Sequence, residues 1–150
     1  MPRAALRAEA RRVVDAAGHR RLLVPRCRVG RPGGTGVWLP EDADTGDPGL
    51  LSDLVERALD GLDETATGGS GPLLAWVARS GDLVAGDGDL AWLRAARAGF
   101  GRHGLALPCF LVLGRHGYVD LLGGHGHTWS RVRASRAATA GTRRRPGPGP

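Results

Sequence analysis

The spacing of apolar and polar positions changes several times along this chain, and each change marks an element. Residues 3–17 place Ala4, Ala5, Leu6, Ala10, Val13, Val14 and Ala17 on one weak helical stripe, which Gly18 stops. "RLLVPRCRV" (21–29) reads as a strand, with Pro25 placing it at a sheet edge or interrupting it. "GRPGG" (30–34) is a turn, and "TGVWLP" (35–40) is the expected returning strand. After the acidic loop "EDADTGDP" (41–48), Asp47 can cap a helix and Pro48 suits its first position. Leu50, Leu51, Leu54, Val55, Ala58, Leu59 and Leu62 then share a face.

The second half is more apolar. "PLLAWVA" (72–78) is an unbroken apolar run, as expected of a strand covered on both faces. A Gly/Asp loop follows, "RSGDLVAGDG", and Asp89 is placed to cap a helix running to about Arg102. Leu90, Leu93, Ala96 and Phe100 form its inner face. "LALPCFLVLG" (105–114) is the next buried strand, and "YVDLLGG" (118–124) its hairpin partner. Strands alternating with helices predict a single α/β domain, a mixed sheet with flanking helices. The expected organisation is an N-terminal helix over 1–19, the α/β domain over 20–129 and a disordered Arg/Pro/Gly-rich tail over 130–150.

Composition changes this picture in two ways. All 21 basic residues are Arg, and Lys, Asn, Gln and Ile are missing altogether, which fits a GC-rich coding bias. The abundance of Arg is therefore no proof that bidentate chemistry was selected. The net charge of +6 is also unevenly spread: +7 over residues 1–32, −8 over 33–70, +1 over 71–122 and +6 over 123–150. Such blocks predict either a basic face for an anionic partner or basic and acidic segments that meet in the fold. No apolar run approaches the ~20 residues that span a bilayer, and the N-terminus has no signal-peptide core. A soluble cytoplasmic protein with no membrane partner is the expectation. Cys27 and Cys109 are too few for a disulfide framework.

The stretch 72–124, "PLLAWVARSGDLVAGDGDLAWLRAARAGFGRHGLALPCFLVLGRHGYVDLLGG", resembles the central part of the JAB/MPN metalloprotease-fold family, most of all its bacterial RadC-type branch. That branch has a buried strand, the motif His-x-His-Pro-Ser-Gly-Asp, and a Ser-x-x-Asp that opens a helix. Anchored on Ser80-Gly81-Asp82, the spacing needs no gap through Asp89. The family's two histidines then fall on Trp76 and Ala78, its proline on Arg79, its serine on Gly86 and its aspartate on Asp89. The similarity extends more loosely over 20–124. It implies a JAB/MPN-like fold with cytidine-deaminase-like layering. The family chemistry is zinc hydrolysis, in which two His and one Asp hold the metal and an early-strand Glu acts as base. Here both histidines are replaced, no acid lies within 16–40, and Gly86 has no hydroxyl. The resemblance thus implies the frame of a metal site without its ligands: no catalytic residue, no cofactor, and Asp89 kept as a helix cap.

Other candidates are weaker. His125 and His127, two apart, could share a metal if a strand presents them, with His116, His103 or Cys109 as a third ligand. Cys109, in an expected buried strand, reads as an inert thiol. The glycines of 30–36 and 102–110 fit no phosphate loop. Arg131, Arg133, Arg136, Arg143, Arg144 and Arg145 could add weak, sequence-blind affinity for nucleic acid, although little aromatic interleaving is visible.

Three readings follow. The first is a non-catalytic JAB/RadC-like domain that binds or scaffolds an unknown protein partner or itself, in a DNA-associated setting. The second is a metal-dependent hydrolase that holds zinc through the His125/His127 pair. The third is a small module that dimerises through an exposed edge strand such as "GYVDLL".

Overall fold

Successive side chains of the strands point to opposite faces of the sheet and build two separate cores. The computed structural model describes residues 3–18, 20–64 and 71–133. Its elements in chain order are α1 (Arg3–Ala17), β1 (Arg26–Gly30), β2 (Gly36–Trp38), α2 (Pro48–Glu64), β3 (Leu74–Ala78), α3 (Asp87–Arg102), β4 (Phe110–Gly114), β5 (Gly117–Asp120) and β6 (Gly126–Thr128). The strands form one mixed sheet in the order β2-β1-β3-β4-β5-β6. Only β3 and β4 pair in parallel, with α3 as the crossover between them; every other neighbour is antiparallel. The result is a single α/β domain with helices on both sides of the sheet.

One core lies under α2 and α3. Cys27, Val29, Ala75, Val77 and Phe110 point into it from the sheet and meet Leu51, Val55, Leu59, Trp92, Ala96 and Phe100. The other lies under α1, where Leu74, Trp76, Leu111, Leu113 and Tyr118 meet Leu6, Ala10 and Val14. Both faces of β3 and β4 are therefore buried, which explains why these strands read as unbroken apolar runs.

Several expected boundaries move. Leu22–Val24 do not join the sheet; β1 starts at Arg26, after Pro25, whose ring carries no N–H for a ladder. Residues 105–109 also stay outside, with Pro108 next to the start of β4. "GYVDLL" is not an edge: β6 pairs with β5, and the sheet edges are β2 and β6, three residues each. The body also continues past residue 130. Val132 is buried against the α1-side core, and its N–H donates to the Arg115 carbonyl at 2.9 Å. Asp47 does cap α2, accepting the Leu50 N–H at 3.0 Å.

The two helices on the far side cross closely at Gly99, which is buried. A methyl group there would lie 2.6 Å from Val55 Cγ1 and 3.1 Å from Val55 Cβ. Beside this crossing, Arg102 pairs with Glu56, and His103 Nε2 bonds Asp60 Oδ1 at 2.7 Å. That bond to a carboxylate raises the His103 pKa above its usual value. Acidic α2 and the C-terminal end of α3 thus meet through these pairs. Gly99→Ala should destabilise the protein by about 1–3 kcal/mol, because Val55 is stiff and cannot swing aside. Urea unfolding should show a lower midpoint at constant slope; an unchanged midpoint would mean the helices part there at no cost.

Candidate functional site

The loop after β3 is organised from within by one side chain. Arg79 leaves the end of the strand, where its N–H donates to the Leu113 carbonyl at 3.0 Å. Its Nε lies 3.0 and 3.1 Å from the two Asp89 oxygens, and Nη2 donates to Asp89 Oδ2 at 2.8 Å. Nη1 donates to the carbonyls of Ser80 and Asp82, and Nη2 to that of Val84. The guanidinium, with five N–H donors, thus closes the loop onto the start of α3. Gly81, with φ +94°, makes the reversal that a side chain would resist.

Asp89 is not itself the N-cap, as the sequence suggested. Helix α3 starts two residues earlier, and Gly86 is the extended cap residue. Asp89 reaches back to accept the Gly86 N–H at 2.9 Å while holding Arg79. Ser80 is also in use: its Oγ accepts the Leu23 N–H at 2.6 Å, and its N–H donates to the Leu23 carbonyl at 3.3 Å. This pair fastens the irregular segment 21–24 to the loop.

The four positions marked by the family motif do not converge. Trp76 is 1% exposed and fills the α1-side core. Ala78 opens on a cleft on that same face. Gly86 and Asp89 line a different hollow with Arg79 and Trp92. A zinc ion needs three or four donors around one point. Here the one carboxylate among the four positions is saturated by a guanidinium, so these residues do not fit a metal.

The histidines are also dispersed. His127 in β6 sits against Tyr118 and Trp129, with ring centroids 6.4 and 6.3 Å away. It lines an open groove beside α1, whereas His125 lines a hollow with Cys109 and Asp120. His116 lies beside Arg115 and Arg131 in a third hollow, and His103 is held by Asp60. Among the described residues, no three His, Cys, Asp or Glu side chains are grouped to hold a metal.

Neither thiol is activated. Burial pushes the Cys27 thiol far above its ordinary range. Cys109 is not inside the strand, as expected, but half-buried just before β4. Desolvation first, and the Asp120 charge second, push it up to about 11. Asp120 is structural: its Oδ1 accepts the Phe110 and Leu122 N–H groups at 3.1 and 3.0 Å.

Of the expected basic residues, Arg131 and Arg133 are exposed on either side of buried Val132. Arg136 and Arg143–Arg145 lie outside the described residues.

The sequence reading missed the charged row under α1. Arg28 in β1 stands directly opposite Trp38 in β2 and Trp76 in β3. Its guanidinium lies 5.3 and 5.6 Å from those two ring centres. Glu9 of α1, wholly buried, pairs with Arg28 and also accepts the Gly33 N–H at 3.2 Å. The signal was present: "RCRV" puts Arg26 and Arg28 on one strand face, and Glu9 is one of only two acids before residue 33.

Arg79→Met should cost about 3 kcal/mol or more, because it leaves the buried Asp89 carboxylate without its cation. Arg79→Met with Asp89→Asn should recover part of that loss. Urea midpoints of the three variants test this, and an Arg79→Met midpoint equal to wild type would show that the loop does not depend on the guanidinium. Comparison with family models, with curated proteins and with solved structures finds no match to this chain.

Proposed function

We propose that this chain is a non-catalytic domain of the JAB/RadC-like type, with a binding or scaffolding role. The order of elements supports the family reading. A hairpin, a helix, a central strand, the Ser80-Gly81-Asp82 turn, a crossover helix and a final hairpin follow one another as in the family. The observation that carries the loss of catalysis is the Arg79–Asp89 pair. A permanent cation holds the only ligand-type residue at the family's metal-ligand positions, while Trp76 and Ala78 there offer no lone pair. The chemistry that the frame once supported has been replaced by internal bracing.

The decisive experiment is zinc content. Untagged protein incubated with zinc and then dialysed should retain far less than one equivalent by mass spectrometry. Near-stoichiometric zinc, lost in His127→Ala, would overturn the reading in favour of a hydrolase built on His125 and His127.

One further observation favours an association with nucleic acid. Arg3, Arg7 and Arg11 recur every fourth residue of α1 and wall a groove of about 710 Å³ whose other side is His127 and Trp129. The half-buried Trp129, with the His127 ring 6.3 Å away, thus stands beside the basic row, although both are far from it in sequence. Arginines that neutralise phosphates combined with rings that stack on bases suit a single strand. Affinity for a labelled single-stranded oligonucleotide should fall steeply with salt. Replacing Arg3, Arg7 and Arg11 together by Ala should flatten the log–log slope by about 2–3. An unchanged slope would remove the groove from the account, and deletion of 134–150 separates it from the tail.

A further inference from the structure

On the α1 side of the sheet, a second row of residues runs beside the Trp38–Arg28–Trp76 row. Arg26 of β1 stands directly opposite Ala78 of β3, and Ala78 opposite Leu113 of β4. Ala78 lies at the floor of a cleft of about 380 Å³. This size lies within the range of small-molecule sites. The cleft sits at the carboxyl end of the central parallel strand, where open α/β sheets place ligands.

Its chemistry is cationic. Arg12, Arg20, Arg26 and Arg28 all line it, against Glu9 and Glu41. Glu9 is wholly buried and already engaged by Arg28 and the Gly33 N–H; with Glu41 counted, four arginines against two glutamates still leave the cleft with an excess of positive charge. Arg26 uses its Nε on the Leu39 carbonyl at 3.1 Å, and its guanidinium lies 5.4 Å from the Trp38 ring centre. The two Nη groups of Arg26 have no protein acceptor among the described residues. Nor does the Arg20 side chain have one. Stacking on Trp38 holds the Arg26 fork in place before any ligand arrives, which lowers the entropy lost on binding. The remaining walls are apolar, from Val13, Ala17, Leu23 and Val24.

We infer that this cleft binds a small organic phosphate, with its phosphate group on Arg20 and Arg26 and its body against the apolar wall and Ala78. A planar guanidinium matches two phosphate oxygens at once, and a second Arg completes the charge. The inference goes beyond the proposed binding role by naming a ligand class and a place. It does not depend on loss of catalysis: zinc uptake would sink that reading and leave this one standing.

The test is calorimetry on the full chain with AMP, inorganic pyrophosphate and adenosine. AMP should bind one per chain with saturation, pyrophosphate should compete with it, and adenosine should bind at least tenfold more weakly. Arg26→Gln and Arg20→Gln should each weaken AMP by about tenfold. Arg20 is exposed, so its substitution leaves the fold intact and keeps the test clean if Arg26→Gln unfolds. The triple variant of Arg3, Arg7 and Arg11 should bind AMP as the wild type does, which separates this cleft from the groove beside His127. No saturable AMP binding at millimolar concentration would overturn the inference. So would affinity indifferent to Arg20→Gln, or adenosine binding as tightly as AMP.

Discussion

A carboxylate with no access to water must be paired, and much of this molecule is arranged around one such requirement. Glu9 lies in the middle of α1 on the face that meets the sheet. Burying it without a cation would cost several kcal/mol. Arg28 supplies the cation, and Arg28 is itself set by the register of β1 between Trp38 and Trp76. The helix position, the β1–β2 hairpin and the central strand are thus tied together at one guanidinium. The turn at Gly33 joins the same carboxylate. A shift of β1 by one residue would turn Arg28 into the opposite core and bring Cys27 or Val29 under Glu9.

The far end of β3 repeats the solution in a different setting. Arg79 is to the loop what Arg28 is to the helix: a cation, here just past the end of a strand, that holds a buried carboxylate of a helix, Asp89 in α3. The sheet is therefore clamped on both faces by Arg–carboxylate pairs. The two clamps leave different surfaces. Around Asp89 the donors and acceptors are matched to each other. Beside Arg28, Arg20 and Arg26 line an open cleft instead.

The parts of the fold that could be read beforehand are those with strong periodicity. Arg3–Ala17 formed as a helix with the expected limits, and the helix begun at Pro48 needed only its end extended. Leu74–Ala78 and Phe110–Gly114 were legible because burial on both faces demands continuous apolar residues. Leu22–Val24 and Leu105–Leu107 failed for the complementary reason. They are apolar, but a neighbouring proline keeps them off the ladder, and composition alone does not distinguish that from pairing. The site was harder to read, because its chemistry lies between elements. Glu9 and Arg28 are nineteen residues apart, and Tyr118, His127 and Trp129 meet only through sheet pairing. Little aromatic interleaving is visible along the chain, yet the β5–β6 pairing brings His127, with Trp129 next to it, beside α1. Among the described residues, no helix is long and apolar enough to cross a membrane.

The way Arg79 is bound has a dynamic consequence. Its guanidinium joins the loop at residues 80, 82 and 84 and the helix start at residue 89 simultaneously. Each bond holds the planar group in the orientation that the others need, so partial opening gains little freedom and loses several partners. Such a segment exchanges its amide protons as one block rather than fraying from its tip. A loop of this kind is a braced corner of the domain rather than a lid that swings over its neighbours.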